Sequence, residues 1–442
     1  MMRRTIVSRV PLPRETGDSA AAKTLEFLQG LLADFHPRNF SIVLWDGTSW
    51  EPEPGQFSRF RWKINRPGAL RSAFAESSAL ALAEAYIYGD FDFDGELEGI
   101  FPLADYLAGA RWTKFQKLRL RMLLAELPAD SGLQPLRPGN KLRGKLHSRE
   151  RDRQAVSYHY DLSNDFYSLW LDPGMSYSCA YFSRADEDLA SAQKRKLRYI
   201  CRKLRLKPGE RLLDIGCGWG GLVMHAAGEY GVNALGITLS QQQFELAERR
   251  ILEAGLSGHC QVKLLDYRDV EEPGAYDKAV SIGMMEHVGE AMLPEYFRCA
   301  YRALRPGGVF LNHAIGTPAG YVRSREPSFS DLYVFPDGEF VPIGTATLAA
   351  EQAGLEVRDV ENLREHYAMT LHHWVRGMEQ HREEARRVVD ETTYRIWRLH
   401  MAGSGHYFRS GKLDLYQTLL VKNENGRSGL PLTRDDWYTE KA

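Results

Sequence analysis

Beyond about residue 190 the chain alternates between short apolar runs and longer amphipathic stretches. The runs RLLDI (211–215), VNALGI (232–237), CQVKLL (260–265), KAVSI (278–282), VFLNHA (309–314), LEVRDVE (355–361) and LDLYQTLLVK (413–422) predict strands. Helices fit between them. Residues 240–254 keep helical spacing through Leu246 to Ile251, and Gly255 supplies the stop. RPGG at 305–308 marks a helix end followed by a turn. Residues 366–402 read as mostly helical, inserted before the last strand. This alternation predicts a parallel sheet covered on both faces. Residues 39–74 carry shorter alternating runs, SIVLWDG, TSWEP and SRFRWKI, punctuated by Gly and Pro. With a helical stretch at 70–89 they predict a small α+β unit ahead of the α/β one.

The chain of 442 residues is 43% hydrophobic and 26% charged, which excludes global disorder. Its formal charge of −1 argues against a nucleic-acid coat. No run reaches the roughly 18 apolar residues of a membrane span; the best candidate, ALALAEAYIY at 79–88, is cut by Glu84. The opening MMRRTIVSRVPLPRET lacks the apolar region of a signal peptide. Five cysteines without paired spacing predict a reduced, cytoplasmic protein.

The charge is unevenly spread. Residues 111–153 hold twelve Lys/Arg against four acids, and 194–211 hold nine against Glu210 alone. The second stretch has an apolar stripe, Leu197, Ile200 and Leu204, and reads either as a solvated helix face or as a surface for anionic lipid. The expected domains are an N-terminal unit over 1–125, a basic linker over 126–153, and a catalytic domain over 154–442.

The densest chemistry lies in RLLDIGCGWGGLVMHAAGEYG, a glycine-rich turn between a buried strand and a helix. Gly216, Gly218, Gly220 and Gly221 let backbone approach a ligand, and the helix aims its amide end there. Gly216, Gly218 and Gly221 also satisfy GxGxxG, but a dinucleotide site wants an acid closing the second strand. That strand closes Gly236-Ile237-Thr238-Leu239-Ser240, without one. Asp214, two residues before the first glycine, is where class I methyltransferases carry their acid. The loop therefore reads as an S-adenosylmethionine site, with a nicotinamide dinucleotide site and a ligand-free turn as the alternatives.

LLDIGCGWGG, GITLSQQQ, LLDYRD, SIGMMEHVG, LNHAIG and MSYSCAYF, in this order and spacing, resemble the cyclopropane-fatty-acid synthase family, which includes the mycolic-acid cyclopropane synthases. The match runs over about 155–423, and YGDFDFDGELEG at 88–99 resembles a marker of the bacterial phospholipid branch. The resemblance implies a class I methyltransferase fold, Rossmann-like with seven strands and the last antiparallel, behind a small lipid-binding α+β domain. It implies that Tyr177 and Ser178 reach the methionine end of the cofactor. Asp214, Gly216, Cys217, Gly218 and Gly220 would hold the amino-acid part and sugar, Thr238, Leu239 and Gln243 the ribose, and Tyr267 and Arg268 the adenine. It also implies a bicarbonate ion beside the reacting methyl. The amides of Cys179 and Ile315 and the side chains of His313 and Tyr367 would donate to that ion, and Glu286 would accept from it.

An isolated alkene is a weak nucleophile, so the sulfonium must be held against it in a dry pocket. A small fixed anion then offers negative charge near the developing cation and a base within reach. The implied activity is methylene transfer from S-adenosylmethionine to the cis double bond of a phospholipid acyl chain, giving a cyclopropane. The expected setting is the inner face of an anionic membrane, with peripheral contact, no nucleic acid and a tendency to homodimers. The rivals are a methylene- or methyl-branched product or a sphingolipid substrate within the family, and a non-catalytic lipid carrier outside it. No metal is expected. GDFDFDGE imitates the opening of a calcium loop but has Phe101 where the bidentate Glu belongs, and His366, His372 and His373 lack a matching zinc ligand set.

Overall fold

The apolar runs after residue 190 become the strands of one sheet; the central runs are buried at nearly every position, whereas the runs at 260–264 and 356–362 keep most positions partly or fully exposed. The computed structural model describes residues 19–75, 78–129, 142–322, 324 and 326–438. The N-terminal segment 1–16 and the middle of the basic linker, 130–141, lie outside the described residues. The chain divides into two compact units, Met1–Leu136 and Arg137–Ala442.

In the first unit β1 (Ser41–Val43), β2 (Ser49–Trp50), β3 (Phe60–Ile64) and β4 (Phe91–Gly95) form a sheet in the order β2-β1-β3-β4. The calcium-like segment is β4 itself. Its period of two buries Phe91 and Phe93 against Trp62 and leaves Asp92 and Asp94 on the other face. The helix expected over 70–89 is two, Ala69–Ala75 and Ala79–Ile87, the second started by Ser78, whose side chain accepts from the Ala81 N–H at 3.0 Å. The helix Lys114–Glu126 opens on a Thr113/Gln116 capping box. It leaves Phe115, Leu118 and Met122 exposed among Lys114, Lys117, Arg119 and Arg121.

In the second unit β5 (Arg211–Ile215), β6 (Asn233–Thr238), β7 (Cys260–Leu264), β8 (Tyr276–Ile282), β9 (Leu304–Thr317), β10 (Val341–Pro342), β11 (Glu356–Asn362) and β12 (Asp414–Val421) form an eight-stranded sheet ordered β11-β12-β9-β8-β5-β6-β7, with β10 on β9. This is the class I methyltransferase fold: β5 to β9 are parallel, and β12 runs antiparallel to both its neighbours. The two-residue β10 is the strand beyond the expected seven.

RPGG does not form a free turn. The helix Leu293–Ala303 ends before it, but Leu304 already pairs with Tyr276, and a register shift ahead of Lys278 absorbs the extra residues as a bulge within the ladder. The inserted segment is three helices, Arg364–Gln380, Arg382–Val388 and Glu391–Arg409. His366 and His373 within it stack on Tyr181 and Phe182.

The basic stretch at 194–211 is not a uniform cationic face. Its helix Leu189–Leu204 buries Leu197, Ile200 and Leu204 as the spacing predicts, but Lys196 and Lys203 are buried with them. Arg195, Arg205 and Arg211 pair with Glu187, Asp436 and Glu272. Only part of that charge faces outward. Among the described residues no helix is long and apolar enough to cross a membrane.

Candidate active site

The glycine turn follows from two crowded contacts. Gly216 sits at φ +84°, and a Cβ there would lie 3.0 Å from the Met284 side chain. The N–H groups of Gly216 and Cys217 donate to Ile237 O at 2.9 and 3.0 Å, tying the turn to the end of β6. Gly236 on β6 admits this closeness, since a Cβ there would stand 2.7 Å from both Cβ and Sγ of Cys217. Gly236→Ala should therefore lower stability by about 1–3 kcal/mol, read from denaturant midpoints, because the overlap is with a fixed Cβ on the turn.

Below this turn lies one cavity at the C-terminal ends of the parallel strands, where open α/β sheets bind ligands. Tyr177, Ser178, Asp214, Gly216, Cys217, Gly218, Thr238, Leu239, Gln243, Tyr267 and Arg268 all line it. Gly220 does not; it caps the helix Gly221–Tyr230 in a left-handed conformation. The Thr238 hydroxyl donates to Gln243 Oε1 at 2.7 Å. Ser240 caps the helix Gln241–Glu253 and donates to Asp161 at 2.6 Å. At the far end Arg268 is held by Asp266 and Asp152, at 2.6 and 2.9 Å. Burial pushes the Asp214 carboxyl up to about 7, against the pull of Lys196.

Sequence reasoning missed Lys196 and Gln193, which build this cavity. Lys196 lines it, and its Nζ donates to Ser178 Oγ at 3.0 Å. Gln193 Nε2 donates to Ser178 O at 2.8 Å and Ser176 O at 3.3 Å. The signal was available: both residues share a helical face with Leu197, Ile200 and Leu204, but the run KRKLR reads as a solvated surface. Asp152, Tyr160 and His287 also line the cavity, with Tyr160 OH 3.3 Å from His287 Nε2.

The other five predicted residues, Cys179, Glu286, His313, Ile315 and Tyr367, lie outside the lining of that cavity. Glu286, on a single turn after β8, accepts the Ile315 N–H at 2.6 Å through Oε1. The Ile315 amide, expected to donate to an ion, is thus given to Glu286. Burial raises the Glu286 carboxyl to about 7 despite this hydrogen bond. His313 Nδ1 stands 3.1 Å from Gln417 Nε2, and burial pushes the ring down to about 3, so it is neutral. Glu286 Oε2 and His313 Nε2 are buried without a hydrogen-bond partner among the described residues. Cys179 Sγ donates to Ala180 O at 3.2 Å and Leu363 O at 3.9 Å and lies beside the Thr370 hydroxyl, and burial pushes its thiol far up, away from nucleophilic use. Tyr367 is half-buried; desolvation of its hydroxyl, and then the nearby Tyr177, Cys179 and Glu286, raise that hydroxyl well above the usual range.

Tyr177 connects the two groups. It lines the cavity and packs among Tyr167, Trp170 and Trp374, with ring centroids 5.7, 5.5 and 5.1 Å away. The arrangement is a ligand cavity whose Tyr177 belongs to an aromatic cluster, in which Trp170 Nε1 and Trp374 Nε1 are likewise buried without a hydrogen-bond partner among the described residues.

The profile described as mycolic acid cyclopropane synthetase matches residues 147–418. The chain belongs to that family. Mycolic acid cyclopropane synthetases are S-adenosylmethionine-dependent lipid methyltransferases. Among similar relatives, a probable fatty acid methyltransferase of Pseudomonas putida is 40% identical over 404 residues, covering 90% of this chain and 95% of its own. The tuberculostearic acid methyltransferase UfaA1 of Mycobacterium tuberculosis is 34% identical over 394 residues, covering 86% and 87%. A crystal structure of the mycolic acid cyclopropane synthase CmaA1 with SAH and CTAB superposes with a TM-score of 0.58 at 34% identity, covering 61% of this chain and 97% of that one.

Proposed function

We propose that this mycolic acid cyclopropane synthetase family member alkylates a cis double bond of a phospholipid acyl chain with S-adenosylmethionine and closes a cyclopropane ring. The observation that carries this reading is the pair of partnerless buried atoms, Glu286 Oε2 and His313 Nε2, beside the cavity under the glycine turn. One acceptor and one donor fit the hydroxyl and an oxygen of bicarbonate. The cavity, with its glycine approach and polar ends, fits the cofactor.

When bound, S-adenosylmethionine supplies an electrophilic methyl and bicarbonate a base. Attack by the double bond leaves a cation on the acyl chain; loss of a proton from the added methyl, as the ring closes, completes the product. The protein's own part is positional. Lys196 and Gln193 hold Ser178 and its backbone at the methionine end. Glu286 accepts a hydrogen bond and orients the anion, while His313 and Tyr367 donate. Tyr177, Trp170 and Trp374 exclude water and offer π-faces to the developing cation.

Cys179→Ala should keep turnover within about tenfold of the parent, because the proposed role of Cys179 runs through its backbone amide, which the substitution leaves in place; a larger loss would give Sγ a direct part. The exposed stripe Phe115, Leu118 and Met122 among basic residues supports peripheral contact with an anionic bilayer at the cytoplasmic face.

A second reading, a methylene- or methyl-branched product, is favoured by the names of two relatives that each span more than four fifths of this chain. The same cation would lose its proton after a hydride shift instead of closing a ring, giving a methylene branch; a saturated methyl branch would require a hydride donor to reduce that alkene in a separate step. Incubation with an unsaturated phospholipid and S-adenosylmethionine, followed by proton NMR, separates the readings. Upfield ring-methylene signals support the cyclopropane, vinylic signals support branching, and no turnover supports a lipid carrier.

A further inference from the structure

His313 is one of the two groups on which the proposed anion site rests, yet a neutral imidazole can either donate or accept through Nε2. Its surroundings decide which. His313 on β9 stands directly opposite Gln417 on β12 in the antiparallel ladder, so the two side chains meet as cross-strand neighbours. Gln417 touches two groups. Lys203 Nζ lies 2.9 Å from Gln417 Oε1, and Gln417 Nε2 lies 3.1 Å from His313 Nδ1. All three residues are about 1% exposed, so water cannot rearrange the set.

An ammonium group only donates. Burial pulls the Lys203 ammonium below its usual range; Glu361, with which it pairs, and the faces of Tyr199 and Trp437, 4.6 and 5.3 Å from Nζ, oppose that and favour the charged form. Glu361 is in turn held by the Tyr199 hydroxyl at 3.0 Å and the Tyr181 hydroxyl at 3.3 Å. Gln417 must therefore turn its oxygen to Lys203, which commits its NH2 to His313. Reversing the amide would set NH2 against an ammonium in a buried place. With an N–H aimed at it, Nδ1 has to be the unprotonated nitrogen.

We infer that Lys203 and Gln417 are positioning residues that fix His313 as the tautomer protonated on Nε2, making its buried, partnerless nitrogen an obligatory donor. The role of that donor toward bicarbonate rests on the function proposed above; the tautomer does not. Nothing in the run RKLRYICRKLRL marks Lys203 as a residue that acts on a side chain of a neighbouring strand. Gln417 reads simply as a polar interruption in an apolar strand.

The test uses the full chain labelled with ¹⁵N-histidine at neutral pH, with the His313 resonances identified by their loss in His313→Gln. Long-range proton–nitrogen correlations should show Nε2 in the protonated range and Nδ1 in the unprotonated range. A wild-type ring protonated on Nδ1 overturns the inference. Gln417→Glu offers Nδ1 an acceptor and should move it into the protonated range; an unchanged Nδ1 also overturns it. Gln417→Met frees the ring to mix tautomers, so the bicarbonate giving half-maximal turnover should rise about tenfold while turnover at saturating bicarbonate recovers; an unchanged requirement removes Gln417 from the role. The wild-type spectrum decides the tautomer even if both variants fail to fold. Wild-type turnover that ignores bicarbonate after decarbonation would remove the anion and leave the tautomer assignment standing.

Discussion

Glu286→Gln should bind S-adenosylhomocysteine as the parent does, measured by calorimetry, and lose about a hundredfold or more in turnover. The asymmetry follows from where the residue sits. Glu286 does not line the cofactor cavity, so the substitution leaves the ligand's walls intact. Gln can still accept the Ile315 N–H through its carbonyl oxygen, so the loop after β8 keeps its anchor. What changes is the second oxygen. Oε2 is an acceptor with no partner among the described residues, and in the variant an NH2 donor takes its place. A bicarbonate hydroxyl facing a donor loses its orienting contact, and the proton-accepting oxygen is no longer held against the alkylated chain. Turnover within a few-fold of the parent would remove Glu286 from the reaction. Loss of S-adenosylhomocysteine binding together with turnover would mean that the residue supports the cavity instead.

The fold was legible because its signal is local. The central runs RLLDI, KAVSI and VFLNHA are buried on both faces, and a short, nearly continuous apolar stretch says so directly. The cofactor turn was legible for a related reason. Gly216 is required by its backbone conformation, and Gly236 by its contact with Cys217, so both positions are written as glycine. Lys196, Lys203 and Gln417 were not legible. Their work depends on which face of a helix or strand they occupy in three dimensions, and a buried lysine in KRKLR is spelled like a solvated one. The basic stretch 194–211 misled in the opposite direction. Much of the basic charge is consumed by Glu187, Glu361, Asp436 and Glu272. Composition counts charges, whereas the fold pairs them.

The same Glu286→Gln variant should be more stable than the parent at pH 8 by about 3 kcal/mol and come within about 1 kcal/mol of it at pH 5, in decarbonated buffer. The Glu286 carboxyl titrates near 4.5 in an unfolded chain and at about 7 in the folded one, because burial outweighs the Ile315 hydrogen bond. Between those values the folded state holds a proton that the unfolded state has lost. The stabilising protonation is therefore complete below 4.5 and disappears as pH rises through 7, at about 1.4 kcal/mol per pH unit. Above 7 the parent folds around a buried carboxylate, while Gln carries no charge at any pH. Denaturant midpoints at the two pH values check both halves of the expectation. Equal midpoints at pH 8 would mean that neighbouring groups already neutralise the carboxylate, leaving no unmet charge to orient an anion's hydroxyl. A gap at pH 8 that closes at pH 5, with turnover lost, would mean that the protein keeps an unfavourable buried charge where the reaction needs an acceptor.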